Sequence, residues 1–349
     1  MAASLRIGVD LGGTKTEAVV VRLGGADPDV LARRRIPTAR DLGYEHIVEQ
    51  TRALVADVAR EAGITDVTST SVGIGVGMPG SMTMRRPDGS TSDVPLVKNS
   101  NTTCLNGRPF RDDLAKALGR SDVAFANDAN CFALAEAVWG AARGARVAFG
   151  VIMGTGVGGG VVLRDEAAAT GAAHMHAWDG AQGIAGEWGH VSLEPVTGPP
   201  CYCGRRGCIE TYLSGPSIER DYAARSGATT TTSTTTRLAA IAELAKEGDP
   251  IATGLLAERI EIFGRALSVV INVLDPDIIV MGGGVSNLAL LYDEGLRAVA
   301  RWVFNDELRT RIVKNELGDS AGVLGAALLE PTPATRAAPA APAAPAAPG

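Results

Sequence analysis

Residues 6–21 read Arg-Ile-Gly-Val-Asp-Leu-Gly-Gly-Thr-Lys-Thr-Glu-Ala-Val-Val-Val. The stretch holds two runs rich in strand-forming residues, and the glycines of Leu11-Gly-Gly-Thr-Lys15 between them are typical of a tight turn. We therefore predict a β-hairpin with a glycine tip. Residues 147–163 repeat this plan, with strands on both sides of Gly154-Thr-Gly-Val-Gly158. Two such hairpins, each followed by α/β structure, predict two similar domains that face one another.

Strand-like and helix-like segments alternate through the rest of the chain, which is the pattern of an α/β protein. The Thr-rich run 229–236 is predicted to be a surface loop. The Ala/Pro-rich tail 331–349 is expected to be disordered, because it cannot form a packed core. The further strands are predicted at 72–76, 123–126 and 278–281, and the helices at 44–62, 109–118, 131–142, 238–246, 251–274 and 321–329.

Length and composition limit the classes of protein to which the chain can belong. The chain has 349 residues and a net charge of −6. A single core usually stops growing at about 250–300 residues, so two domains around a cleft are expected. No uninterrupted apolar run reaches the roughly 18 residues of a membrane span, and no Lys/Arg run indicates a nucleic-acid surface. The first strand begins by Leu5 and leaves no room for a signal peptide, so a cytoplasmic protein is expected.

Three of the five cysteines lie in Cys201-Tyr-Cys-Gly-Arg-Arg-Gly-Cys208, and His190 lies shortly before them. Three thiolates and one imidazole form the ligand set of a closed tetrahedral zinc site, and Gly204 and Gly207 let a short loop turn its sulfurs inward. Four protein ligands leave no open position, so we expect a structural zinc. The alternative is a reduced, metal-free loop. An odd cysteine count without a signal sequence does not favour a disulfide framework.

Three glycine-rich turns are candidates for phosphate binding: Gly12-Gly-Thr-Lys15, Gly154-Thr-Gly156 and Gly282-Gly-Gly284. Glycine lets the backbone approach an anion and present its N–H groups. Singly, each could be an ordinary tight turn. The chain lacks the P-loop lysine motif, and the turn at 154–159 precedes a strand where the dinucleotide-binding motif requires a helix.

Asp128 follows the predicted strand 123–126, with Asn127 before it and Asn130 after it. A carboxylate in this place can project into a cleft and accept a proton from a substrate hydroxyl. It can equally cap the helix predicted to start near Cys131, and the spacing does not separate the two readings. Three further polar residues near the cysteine loop could hold vicinal hydroxyls: Glu187, His190 and Glu210.

Taken together, these motifs resemble the ROK family of sugar kinases and repressors, over about residues 6–329. The resemblance implies an α/β protein with a two-domain hexokinase/actin-like (ribonuclease H-like) fold, an active site in the interdomain cleft, ATP and Mg²⁺ as cofactors, and a homodimer. It also implies a small domain of residues 1–126 and 318–330, and a large domain of residues 127–317 with the zinc loop at 190–208. The motifs are Asp10–Glu17, Asn127–Asn130, Gly154–Gly156, Gly186–His190 and Cys201–Glu210.

The resemblance assigns a role to each matching residue. Asp128 would be the catalytic base, and Asp10 would hold Mg²⁺ through water. His190 would bind zinc through one ring nitrogen and face the sugar with the other. The implied sugar ligands are Gly80, Asn101, Asn127, Asp128, Glu187, His190 and Glu210. The implied ATP-binding residues are Asp10, Gly12, Gly13, Thr14, Lys15, Gly154, Thr155, Gly156, Gly282, Gly283 and Gly284, and the zinc ligands are His190, Cys201, Cys203 and Cys208.

Within the family, the stretches Pro79–Ser81, Val97–Asn101 and Leu105–Phe110 resemble bacterial fructokinases. That implies phosphorylation of fructose to fructose 6-phosphate. Glucokinases, mannokinases and N-acetylhexosamine kinases share the same catalytic motifs and are the alternatives. A non-catalytic sugar sensor or transcriptional regulator is disfavoured, because the family's repressors carry an N-terminal helix-turn-helix and this chain reaches its first strand by Leu5. The segment 82–95 departs from the usual short connection at that place.

Overall fold

The structure is a computed structural model that describes residues 4–165, 174–227 and 237–331. No helix within these ranges is both long enough and apolar enough to cross a bilayer. The strands are β1 (Leu5–Leu11), β2 (Lys15–Arg22), β3 (Asp29–Pro37), β4 (Val72–Met78), β5 (Ser81–Arg85), β6 (Thr91–Lys98), β7 (Ala124–Asn127), β8 (Val147–Met153), β9 (Val157–Asp165), β10 (His174–Ala177), β11 (Ile278–Gly282) and β12 (Arg311–Lys314). The helices are α1 (Tyr44–Glu61), α2 (Phe110–Ala117), α3 (Asp128–Trp139), α4 (Glu210–Leu213), α5 (Gly215–Ser226), α6 (Leu238–Lys246), α7 (Pro250–Leu274), α8 (Glu294–Trp302) and α9 (Ala321–Leu328).

Two five-stranded mixed sheets with the same layout organise the described residues. The first sheet has the order β3-β2-β1-β4-β7, and the second has the order β10-β9-β8-β11-β12. In each sheet the first three strands are antiparallel, and the remaining two run parallel to the central strand. Both predicted hairpins, β1–β2 and β8–β9, are confirmed. The chain thus contains two halves with the same strand arrangement.

Helices cover both sheets and fill the space between them. On the outer face of the first sheet, α1 packs against the apolar side chains of β1 and β2, and α2 packs beside α1 and β6. On the outer face of the second sheet, α7 packs against β8 and β11. Between the sheets, α3 and α9 share one core with Val19 of the first sheet and Ala148 of the second. The two halves are therefore joined by a common apolar layer of two helices.

Backbone-to-backbone contact holds α9 in this layer. A Cβ atom on Gly75 of β4 would lie 1.9 Å from the carbonyl oxygen of Ala326, and one on Gly325 would lie 1.7 Å from the carbonyl oxygen of Cys131 on α3. No side chain fits at either point, so glycine is required by the close approach of the helix. As a result, α9 lies directly against β4 on one side and α3 on the other.

Several elements differ from the sequence-based expectations. The helix expected near Cys131 begins at Asp128, because the Asn127 side chain caps it by accepting a hydrogen bond from the Ala129 N–H at 2.9 Å. Asn127, rather than Asp128, is thus the N-cap. The segment 82–95 contributes to an unpredicted hairpin, β5–β6. The strands β3, β10 and β12 and the helices α4, α5 and α8 were also missed. The predicted loop 229–236 and all of the predicted tail after its first residue lie outside the described residues.

We predict that Gly75→Ala lowers the free energy of unfolding by about 1–3 kcal/mol, because the new methyl group forces α9 away from β4. The matched control is Gly254→Ala. Gly254 is an exposed glycine inside α7 with no atom within 4 Å of its would-be Cβ, so this change should instead stabilise the protein by about 0.5–1 kcal/mol. Urea denaturation midpoints measure both effects, and an unchanged midpoint for Gly75→Ala would contradict the close packing of α9.

Candidate active site

The candidate site lies where the parallel strands of the first sheet end. Asp10 is near the carboxyl end of β1, Gly80 follows β4, and Asn127 ends β7. Because these strands are parallel neighbours, their carboxyl ends share one edge of the sheet, which is where open α/β sheets bind ligands. The sheet therefore brings together three residues that are far apart in the sequence.

Two cavities meet at Thr155, and one of them is lined by Lys98 and Ser100, which adjoin Gly80 at this edge. The first, the acceptor cavity, has a volume of about 1060 Å³ and is lined by residues of both halves, including Asn101 from the first half and Glu210 from the second. The other, the donor cavity, has a volume of about 860 Å³ and is lined by Gly284 and by residues of α5, α6 and α7. Thr155 lines both cavities. The glycine turn between β8 and β9 is thus the junction between them.

Asp128 is half-buried at the first residue of α3. Its Oδ1 accepts a hydrogen bond from the Ala129 N–H at 2.8 Å, and the neighbouring Asn127 donates from Nδ2 to the Gly80 carbonyl at 3.0 Å. Loss of solvent around the carboxyl group raises the pKa of Asp128 to about 6. Near neutral pH the group is mostly ionised, yet it is a stronger base than an exposed aspartate.

Asp10 is the second perturbed carboxyl group of the site. Burial raises the pKa of Asp10 to about 7, and the negative charge of Asp128 acts in the same direction. The first turn of α9 covers it, since a Cβ atom on Gly322 would lie 2.8 Å from Asp10 Oδ2. Two carboxylate charges that repel each other in a poorly solvated place favour the binding of a proton or a cation.

Glu187 and Glu210 are held against the turn between β8 and β9. Glu210 begins α4, and its Oε2 accepts a hydrogen bond from the Val157 N–H at 2.9 Å. Glu187 precedes Trp188, whose indole N–H donates to the Gly158 carbonyl at 2.8 Å. Burial raises the pKa of Glu187, and the charge of Glu210 acts in the same direction. Both carboxylates therefore share the neighbourhood of the glycine turn.

The glycine turns have the backbone form expected of anion-binding loops. In the turn after β8, Gly154 donates to the Gly156 carbonyl at 2.9 Å, and the N–H groups of Thr155 and Gly156 have no acceptor among the residues the structure describes. In the opening turn, Gly12 donates to the Lys15 carbonyl at 3.0 Å. These arrangements leave N–H groups available to a phosphate.

The third glycine segment divides between two environments. Gly282 is buried within β11, where a Cβ atom would lie 2.6 Å from the ring of Phe132. Gly283 has a φ of 81° and, with Gly284, is exposed. Gly284 lines the donor cavity. The exposed part of the segment is therefore the part in a position to meet a ligand.

His190 and the three cysteines 201, 203 and 208 form one cluster, with their ligand atoms all within 4.8 Å of one another. The distance from His190 Nδ1 to Cys201 Sγ is 3.7 Å, and that from Cys203 Sγ to Cys208 Sγ is 3.6 Å. A tetrahedral zinc with Zn–S of about 2.3 Å and Zn–N of about 2.0–2.1 Å requires separations of about 3.6 Å for N to S and about 3.8 Å for S to S. The residues present fit such an ion.

The other ring nitrogen of His190 was expected to face a sugar. In the structure, Nε2 lies 3.0 Å from the hydroxyl group of Tyr202. Tyr202 also lines the acceptor cavity. Sequence reasoning did not select Tyr202, although it stands inside the quoted cysteine motif. It also missed the residues of α5–α7 that line the donor cavity, because they carry no motif and meet only in the folded chain.

Comparison with known proteins extends this picture to the whole chain. A model of the ROK family matches residues 6–332. An N-acetyl-D-glucosamine kinase of Photobacterium profundum is 32% identical over 334 residues, which cover 92% of this chain and 98% of the relative. The corresponding kinase of Vibrio vulnificus is 33% identical over 340 residues, with coverages of 92% and 98%. The expected resemblance to fructokinases finds no support in these relatives.

Solved structures give the same result for the fold. The ROK hexokinase from Thermus thermophilus is similar with a TM-score of 0.74 and 32% identity, over 93% of this chain and 97% of that chain. A ROK family glucokinase from Streptomyces griseus, in complex with glucose and AMPPNP, is similar with a TM-score of 0.69 and 27% identity, over 93% and 98%. The two-domain, hexokinase-like α/β fold is confirmed. The chain therefore belongs to the ROK family and stands among its sugar kinases.

Proposed function

We propose that the protein transfers the γ-phosphoryl group of ATP to the 6-hydroxyl of an N-acetylated hexosamine, with N-acetyl-D-glucosamine as the preferred acceptor. The observation that carries the proposal of phosphoryl transfer is the half-buried Asp128 carboxylate at the sheet edge, where the adjacent Asn127 bonds to Gly80. Gly80 adjoins Lys98 and Ser100 in the wall of the acceptor cavity, and that cavity meets the donor cavity at Thr155. The choice of acceptor is supported by the two relatives described above, each of which is an N-acetyl-D-glucosamine kinase.

In this proposal Asp128 is the general base. With a pKa of about 6 it is ionised at neutral pH and can accept the proton of the 6-hydroxyl. The alkoxide oxygen then forms its bond to the γ-phosphorus as the bond to the β-phosphate oxygen breaks and ADP leaves. Asn127 fixes the orientation of the helix start that carries the base, since its amide contacts both Ala129 and Gly80.

The phosphates of ATP would lie along the turn of residues 154–156, and the nucleoside would enter the donor cavity beside Gly284. Backbone N–H groups in such turns stabilise phosphate charge without adding a formal charge to the site. Asp10 would hold Mg²⁺, whose positive charge offsets charge that develops on the phosphates. A bound cation would also favour the ionised forms of both Asp10 and Asp128.

We further propose that the cluster of His190 and three cysteines holds a structural zinc ion. Four protein ligands leave no coordination position for a substrate. Backbone hydrogen bonds, such as that from the Cys201 N–H to the Arg205 carbonyl at 2.8 Å, shape the loop of residues 201–208. The ion would add a cross-link from its three sulfurs to His190, and Glu210 follows the loop closely. The ion would therefore fix the wall of the acceptor cavity that carries Tyr202 and Glu210.

Metal analysis tests the zinc proposal. We expect the purified protein to contain about one zinc per chain, and Cys208→Ser to lose the metal and to melt at a lower temperature, because the loop then lacks its cross-link. Cys104→Ser is the matched control, since Cys104 lies outside the cluster, and it should keep both the zinc and the melting temperature. A wild-type protein that neither contains nor takes up zinc would refute the proposal.

Fructose, glucose and mannose are the competing acceptors. The motifs at residues 79–81, 97–101 and 105–110 favour fructose, whereas the relatives favour an N-acetylated hexosamine. A non-catalytic sensor is the competing class, and a regulator of the ROK family shares the fold at 23% identity. The presence of Asp128 and of the candidate phosphate-binding turns favours an enzyme over a sensor.

A coupled ADP-release assay with MgATP and a panel of these sugars tests the acceptor. We expect kcat/KM for N-acetyl-D-glucosamine to exceed that for fructose by about tenfold or more, because a site with a partner for the acetamido group loses that interaction with fructose. A higher kcat/KM with another hexose would support the kinase activity and identify that hexose as the acceptor. No turnover with any sugar, in protein that contains zinc, would favour the sensor.

A further inference from the structure

Tyr202 has an unusual position for a large aromatic residue. It lies between two cysteines of the cluster, 73% of its surface is exposed, and it forms part of the wall of the acceptor cavity. Its ring meets that of His190 edge-on, with 5.2 Å between the ring centroids. Its hydroxyl group lies 3.0 Å from His190 Nε2. The side chain is therefore held in one orientation although most of it faces open space.

The two nitrogens of His190 determine how this hydrogen bond runs. Nδ1 is the nitrogen beside the cluster, 3.7 Å from Cys201 Sγ. When Nδ1 binds a metal, Nε2 carries the ring proton and must act as the donor. The oxygen of Tyr202 then accepts, and its own O–H is left to donate elsewhere. The arrangement presents a hydrogen-bond donor at the edge of the acceptor cavity.

Polar groups form a row along the acceptor cavity, from the side of the proposed base to this donor. Next to Asp128, Asn127 donates to the Gly80 carbonyl, and Gly80 adjoins Lys98 and Ser100 of the cavity wall. Glu210 and Tyr202 line the same cavity, and Glu187 stands three residues before His190, which contacts Tyr202. A hexopyranose whose 6-hydroxyl meets Asp128 has C2 on the opposite side of its ring from C5, which carries the 6-hydroxyl arm. The substituent at C2 would accordingly lie toward the Tyr202 end of the row.

The residues of this row differ in whether they can donate or accept hydrogen bonds. Ionised Glu187 and Glu210 can accept hydrogen bonds from sugar hydroxyl groups but cannot donate one. The carbonyl oxygen of an acetamido group needs a donor, and its methyl group needs an apolar surface. Tyr202 offers both in one side chain, an O–H directed away from His190 and an aromatic ring.

We propose that Tyr202 is a specificity-determining residue that recognises the acetamido group at C2 of the acceptor. Its O–H donates to the amide carbonyl, and its ring packs on the methyl group. This inference rests on the proposed function, since it requires a hexosamine that is phosphorylated at its 6-hydroxyl. It adds a residue whose removal should alter the choice between acceptors rather than the chemical step.

Steady-state kinetics of Tyr202→Phe with N-acetyl-D-glucosamine and with glucose test the hydrogen bond. The variant keeps the ring and loses the O–H, so we expect KM for N-acetyl-D-glucosamine to rise roughly tenfold, with kcat and the KM for glucose changed less than about twofold. Tyr44→Phe is the matched control. It deletes a hydroxyl group that bonds to Asp113 in the first half, and it should leave both KM values unchanged.

Equal increases of KM for both sugars, or a fall in either, would overturn the assignment of Tyr202. Zinc content is measured for each variant, so that a loss of metal is not mistaken for a loss of recognition. Preference of the wild-type protein for fructose would instead refute the proposed acceptor.

Saturation-transfer NMR with N-acetyl-D-glucosamine tests the ring independently of turnover. We expect strong saturation of the acetyl methyl protons relative to the sugar-ring protons in the wild-type protein, and a clear loss of that difference in Tyr202→Ala. An unchanged pattern in Tyr202→Ala would overturn the inference, even where the kinase activity itself is confirmed.

Discussion

The close contact between α3 and α9 is the constraint on which the rest of the molecule depends. A Cβ atom on Gly325 would lie 1.7 Å from the carbonyl oxygen of Cys131, so the two helix backbones touch within the layer between the sheets. Asp128 begins one of these helices, and the first turn of the other covers Asp10. The packing that joins the halves therefore also brings together the two carboxyl groups and removes water from them.

That loss of water gives the site its chemical character. The pKa values of Asp10 and Asp128 are raised chiefly by burial, and the negative charge of Asp128 raises the pKa of Asp10 further. Two ionised carboxylates in this place raise the free energy of the protein, and binding of a cation or a proton lowers it. At the junction of the two cavities, the glycine turn is held by Glu210, which accepts from the Val157 N–H, and by Trp188, the residue after Glu187, which donates to the Gly158 carbonyl. The two cavities thus share the same short segment of backbone.

The sequence predicted what depends on local pattern, and missed what depends on tertiary contact. The hairpins β1–β2 and β8–β9 and the helix α6 follow from periodicity and glycine turns. The start of α3 was placed three residues late, because the apolar pattern begins at Cys131 whereas the Asn127 cap extends the helix. The hairpin β5–β6 mixes exposed, partly buried and buried residues and shows no clear alternation. Tyr202 gave no signal, since its contact with His190 exists only after the cysteine loop folds.

The central claim is that the desolvated carboxylate of Asp128 takes the proton of the acceptor hydroxyl. The most direct measurement is kcat of Asp128→Asn with saturating MgATP and acceptor, together with acceptor affinity by calorimetry. We expect kcat to fall by about 10²–10⁴-fold, because the amide cannot accept the proton, while acceptor affinity and melting temperature stay close to those of the wild type. A kcat within about tenfold of the wild-type value would contradict the account.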